Sequence, residues 1–204
     1  MIAKNEKPRW SFYLLWILLT FVCVPIAFFL DLVILRILIH FIGDTIYVDG
    51  VRHITEDYLG MVVFIPIVAL LTGAVQYGLL RRHLPRMGGW VALTFGGWLL
   101  GFILNLVPVW LQWPNRLFNI NLAFIVMGLT IGVSQWLLLR RRFPRAGWWL
   151  AATLVGWGVL ALIPKNNSIG QFGLFFIGFL PACATACGLA WLLGQVRRTE
   201  PLSA

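Results

Sequence analysis

Apolar residues gather in six long runs, at about 10–30, 58–80, 89–111, 117–139, 147–163 and 171–193. Short polar segments divide them. A helix rises 1.5 Å per residue, so about 20 apolar residues cross a ~30 Å hydrocarbon core. Each run therefore predicts a membrane-spanning helix, the fifth being the shortest at 17 residues. No alternation of apolar and polar positions recurs along the chain, which excludes a membrane β-barrel. The pattern predicts an all-α integral membrane protein with six transmembrane helices.

Two places depart from this simple alternation. Residues 31–42 continue the first run with Leu32, Val33, Ile34, Leu35, Ile37, Leu38, Ile39 and Phe41, carrying Arg36 and His40 four apart. A helix from Trp10 through this stretch would approach 50 Å. It must tilt, bend at Pro25, or turn and lie along the outer interface. Next, Asp49-Gly50 is flanked by Thr45-Ile46-Tyr47-Val48 and Val51-Arg52-His53-Ile54. Asp-Gly readily takes the positive φ of a tight turn, and β-branched flanks favour extended chain, so a small β-hairpin is predicted near 45–54. The first run follows Lys4, Lys7 and Arg9 but is too long for a signal peptide and lacks a small-residue cleavage site, so it reads as a retained helix.

Composition agrees with the pattern. The 204 residues are 60% apolar and only 11% charged. Ordinary soluble domains carry about 25% charged residues, and a soluble fold of this size could not hide so much apolar surface. The net charge of +9 could suggest nucleic acid. The charges fall instead in short clusters between apolar runs, as membrane-flanking anchors do, so a nucleic-acid partner is excluded. With the N-terminus in the cytoplasm, the inner segments hold 12 Lys and Arg and the outer segments 3 (Arg52, Arg116 and Lys165), Arg36 lying apart. That asymmetry predicts a cell-membrane protein with both termini cytoplasmic. Cys23, Cys183 and Cys187 all lie inside apolar runs and form no disulfide framework.

The chain also repeats itself. Residues 73–98, GAVQYGLLRRHLPRMGGWVALTFGGW, align without gaps to 132–157, GVSQWLLLRRRFPRAGWWLAATLVGW, with 14 of 26 positions identical. The identities include Gln76/Gln135, Arg81/Arg140, Arg82/Arg141, Pro85/Pro144, Arg86/Arg145, Trp90/Trp149, Thr94/Thr153 and Trp98/Trp157. Each copy holds two crossings, so both enter the membrane in the same sense, a parallel repeat. Each is a helical hairpin with a basic bend. A fainter echo, Gly188…Trp191-Leu192-Leu193…Arg197-Arg198, follows in the sixth run. The single membrane domain thus divides into 1–57 (first helix and outer loop), 58–116 and 117–169 (the two repeats), and 170–204 (last helix and basic tail). Pairs of small residues four apart, at Gly97/Gly101, Gly128/Gly132, Ala152/Gly156 and Ala184/Gly188, would let helix backbones approach closely.

The phrase Gly-x-x-Gln-Trp-Leu-x-Leu-Arg-Arg…Ala-Gly-Trp-Trp…Gly-Trp, carried at 132–157, resembles one found in uncharacterised multi-pass bacterial membrane proteins with the same hairpin in tandem. The resemblance covers about residues 72–163, and the first copy departs from it at Tyr77 and Gly89. It implies architecture and no activity.

Candidate chemistry is sparse. An intramembrane enzyme would show paired carboxylates, a metal pair or an activated nucleophile, and none is visible, so the chain reads as no enzyme. Asp31 is the one acid near a span, with Arg36 at i,i+5, a poor helical spacing. His40 is the sole candidate for holding a tetrapyrrole, and reads more simply as an interfacial residue. No cofactor is predicted beyond bound lipid. Gln76 and Gln135 should sit within the membrane near the basic bends, bonding across helices or, with Asn105, Thr94 and Thr153, lining a ligand cavity. Arg81, Arg82, Arg86, Arg140, Arg141, Arg142 and Arg145 should meet anionic lipid headgroups on the cytoplasmic side. The expected function is a non-catalytic scaffold or accessory subunit of a larger membrane complex, with other membrane subunits as partners. The alternative is a small-molecule transporter or the substrate-binding membrane component of an importer.

Overall fold

The computed structural model describes residues 8–48, 50–84, 87–110, 120–163 and 170–195. Among them are six α-helices and one two-stranded sheet: α1 (Trp10–Ile42), β1 (Thr45–Val48), β2 (Val51–Ile54), α2 (Thr55–Leu80), α3 (Trp90–Trp110), α4 (Ile120–Leu139), α5 (Gly147–Leu162) and α6 (Gly170–Gln195). Five of the helices are long and apolar enough to cross a membrane. The protein therefore has the build of a multi-pass membrane protein. The exception, α5, has 16 residues, about 24 Å of helix.

Each helix packs against its neighbours in sequence, and α6 returns to pack against α1. The six helices form a closed ring. Apolar residues face outward all round it, among them Leu18, Phe29, Leu70, Leu100, Leu129 and Val155. That suits a lipid surround and would be unstable in water. Two apolar clusters fill the interior. One gathers Phe12, Trp16, Leu80, Leu84, Met87, Trp90, Leu139, Phe143, Ala146, Trp149 and Leu192. Because it holds Leu84 and Met87, between α2 and α3, together with Phe143 and Ala146, between α4 and α5, those bends lie at the same end of the ring. The other cluster, further along the helices, gathers Val24, Ala27, Val68, Trp98, Met127, Ile131, Trp157 and Leu160.

The ambiguous stretch after the first run is resolved: α1 continues without interruption to Ile42, 33 residues in all, with Pro25 inside it. At about 50 Å it is longer than the membrane core. Gly43, at φ +95°, ends it, and its N–H donates to Ile39 O at 2.8 Å. A positive φ at this position suits glycine. The hairpin follows as the Asp-Gly pattern predicts, with Thr45 opposite Ile54 and Val48 opposite Val51. Gly50 takes φ +78° in the turn. Thr55, fully buried, closes the base of the hairpin: its N–H donates to Asp44 O at 3.0 Å and its hydroxyl to Gly43 O at 2.7 Å. A lone hairpin is marginal, and anchoring both ends into long helices holds it.

The small-residue pairs lie on the seams. A Cβ added at Gly97 would come within 2.9 Å of Ile131 Cα and 3.0 Å of Thr130 O, and one at Gly101 within 2.6 Å of Met127 Sδ, so α3 and α4 touch backbone to backbone. Gly128 and Gly132 meet Trp157, Leu150 and Thr153 of α5. Gly156 meets Pro181 Cα and Ala184, and Gly188 meets Ala152, between α5 and α6. Such contacts replace the hydrophobic drive that lipid does not supply between helices.

Gly97→Ala should destabilise the bundle by about 1–3 kcal/mol, because the new methyl meets backbone that cannot yield. Gly96 faces open space. Gly96→Ala should be neutral or slightly stabilising, by at most about 1 kcal/mol. Thermal unfolding of the two variants in detergent tests this; equal behaviour would show that the α3–α4 seam is looser than described.

Candidate functional site

The interior polar residues form a layer between the two apolar clusters. Gln76 on α2 and Gln135 on α4 are both buried. Gln135 Nε2 donates to Gln76 Oε1 at 3.2 Å and to Thr94 Oγ1, on α3, at 2.9 Å. Trp90 Nε1 donates to Gln76 Oε1 at 3.2 Å, and Trp149 Nε1 to Gln135 Oε1 at 3.1 Å. Four helices, α2 to α5, are thus tied by two carboxamides, two indoles and one hydroxyl.

A third indole does the same on the remaining pair. Trp16 of α1 donates its Nε1 to Thr185 Oγ1 of α6 at 3.1 Å. The rings of Trp16, Trp90 and Trp149 are all fully buried and meet edge to face. Trp149 stands 6.0 Å from Trp16 and 5.6 Å from Trp90 between ring centroids, a favourable arrangement of the ring quadrupoles. A buried indole N–H needs an acceptor, and each finds one on the neighbouring even-numbered helix. Trp16 and Thr185 carried no sequence signal: the sixth run lacks a Gln at this level, and a Thr in an apolar helix reads as ordinary.

The hydroxyl of Thr153 and the amide of Asn105 bond to backbone carbonyls and not to the glutamines. Thr153 lies beside this layer and donates to Trp149 O of its own helix at 2.9 Å. Asn105 sits further along α3, where its Nδ2 donates to Ala123 O of α4 at 3.3 Å. It does not join the glutamines. Residues from all six helices, Thr20, Thr72, Gln76, Trp98, Gln135, Thr153 and Thr185 among them, border one central cavity of about 40 Å³. Ligand pockets for small molecules run to roughly 300–1,000 Å³.

At the bends, Arg81, Arg82, Arg140, Arg141, Arg142 and Arg145 are exposed, while Arg86 lies outside the described residues. The two bends carry matching backbone bonds. Arg81 and Arg140 donate to Tyr77 O and Trp136 O, Leu84 and Phe143 to Leu80 O and Leu139 O, and Trp90 and Trp149 to Met87 O and Ala146 O. The Arg140 guanidinium lies 5.0 Å over the Trp136 ring. His83, in the first bend, stands 4.5 Å from Phe12, edge to face. Burial there, with Arg82 alongside, lowers its pKa from the ordinary 6.5.

His40, near the C-terminal end of α1, is exposed beside Phe41. Asp31 is buried in α1, about three turns before Ile42, with Oδ1 lacking a hydrogen-bond partner and no ion pair to Arg36. Among the described residues, no group of three or more His, Cys, Asp or Glu could hold a metal ion. No protein-family model matches the chain, and no curated protein or solved structure matches it either.

Two outcomes follow from this geometry. Gln135→Leu removes three hydrogen bonds and leaves the Trp149 N–H without its acceptor, so the bundle should lose about 1–3 kcal/mol of stability. An unchanged melting temperature would show the layer is incidental. His83 sets a pH dependence. Its folded pKa lies below its unfolded one, so its effect is absent above pH 6.5. As pH falls below that value the unfolded chain takes the proton first, and stability drops until His83 itself is protonated. Melting temperature should therefore fall below pH 6.5, and His83→Gln should reduce that fall; an identical pH profile for both proteins would contradict the assignment.

Proposed function

We propose that the chain is a non-catalytic membrane subunit, a scaffold or accessory component of a larger membrane assembly. One observation carries the reading: the interior polar groups that could have formed a ligand site bond to each other and to buried indoles. Gln76, Gln135 and Thr94 close a helix-to-helix network. Groups so engaged hold helices together. A solute site would instead need free donors and acceptors around a larger space.

The architecture behind this is a tandem hairpin, α2–α3 followed by α4–α5. The reading is supported by the matched sequence at offset 59, by Trp-to-Gln bonds that each span 14 residues, and by the matching bends. The Trp16–Thr185 bond extends the same logic to α6 and α1, making three helix pairs around one axis. By the asymmetry of Lys and Arg, both termini and both bends face the cytoplasm of a bacterial cell membrane, with the exposed arginines on anionic headgroups. Partners would dock on the outer half of α1, where Phe29, Ile37, Phe41 and Ile42 are exposed next to the hairpin.

The transporter reading has one observation in its favour, the convergence of Gln76, Gln135 and Thr153 on the central cavity. At about 40 Å³ that space suits nothing of substrate size.

Purification in mild detergent should recover the chain with a second membrane protein in fixed proportion. Recovery as a lone monomer with a small organic molecule in its centre would favour the transporter. Single cysteines introduced at Asp49 and Arg142 should label from opposite sides of the membrane; labelling from one side would refute the topology.

A further inference from the structure

The central cavity shows one polar group that the protein does not satisfy. Thr20 of α1 is 8% exposed and its Oγ1 has no hydrogen-bond partner. Helical threonines usually donate to a carbonyl one turn back. Thr130, Thr153 and Thr185 do so here, to Val126 O, Trp149 O and Pro181 O, at 2.7–3.0 Å. Thr20 does not, and it borders the cavity. A buried hydroxyl without a partner bears its full desolvation penalty, so such groups are rarely left bare.

The cavity can supply the partner. It measures about 40 Å³, and a water needs roughly 10–15 Å³ of such space and two to four polar neighbours. Thr72, Gln76, Gln135, Thr153 and Thr185 provide hydroxyl and amide groups around it. Each threonine oxygen that donates once still has lone pairs to accept with. No acid or base lines the space, so a bare ion there would have no counter-charge. Val24, Trp98, Ile131 and Trp157, all of the second apolar cluster, add apolar lining.

We infer that the centre of the ring is a water-binding site: two or three ordered waters receive the Thr20 hydroxyl and link α1 to the polar groups of α2, α4 and α5. These waters complete the network by joining the first helix to the Gln–Trp layer. The site takes neutral water and excludes ions and larger solutes.

The test is a map at better than about 2 Å of the full chain in lipid nanodiscs, for the parent protein, Thr20→Val and Thr20→Ser. The parent and the serine variant should show water density within hydrogen-bond distance of the residue 20 hydroxyl. The valine variant should lose that water. Its melting temperature should fall by about 2–4 °C, the shift expected for one lost hydrogen bond in a chain of this size. No density beside Thr20 in the parent overturns the inference. So does a valine variant that melts at the same or a higher temperature, since removing a bare buried hydroxyl from a dry cavity is neutral or stabilising.

Discussion

A carboxamide placed in hydrocarbon has no water to turn to, so its bonds must come from the protein itself. Gln76 and Gln135 meet that demand by bonding to each other, and the rest of the interior follows. Gln76 Oε1 also accepts from Trp90, Gln135 Nε2 also donates to Thr94, and Gln135 Oε1 accepts from Trp149, which fixes the approach of α2, α3, α4 and α5. Apolar packing alone would not specify this arrangement. Leucines facing lipid or facing one another differ little in energy, whereas a carboxamide left unbonded in lipid is costly.

The second constraint is close approach. Polar bonds across helices reach about 3 Å, and short side chains such as Gln and Thr can span a seam only if the backbones come near. The glycines at Gly97, Gly101, Gly128, Gly132, Gly156 and Gly188 permit that. Small residues and hydrogen bonds therefore act together: one brings the helices in, the other fixes their rotation and depth. The indoles add a third element, since three buried rings packed edge to face close the bundle beside the bends.

Much of this was legible in the sequence because it rests on periodic, one-dimensional signals. Apolar run length predicted the helices, and Asp49-Gly50 with its β-branched flanks predicted the hairpin. The gapless alignment makes Gln76 and Gln135 equivalent positions. The rest depends on three-dimensional closure. Whether 31–42 would continue α1 could not be decided from hydropathy, because an interfacial helix and an overlong span have the same composition. The structure continues the helix to Gly43, whose positive φ ends it. Trp16 meets Thr185 across 169 residues of chain, a contact that follows from the ring closing on itself and from no local pattern. Thr20 reads as any threonine in an apolar helix; only the absence of a back-bond and the nearby cavity set it apart.

The account turns on whether the two glutamines act on each other or on something they bind. A double-mutant cycle on Gln76 and Gln135, each changed to Leu alone and together, with unfolding free energies measured in the same detergent, separates these directly. Mutual bonding predicts a coupling energy of about 0.5–3 kcal/mol, the second substitution costing much less than the first. Strictly additive losses, or no loss at all, would contradict it and return both residues to the list of candidate ligand contacts.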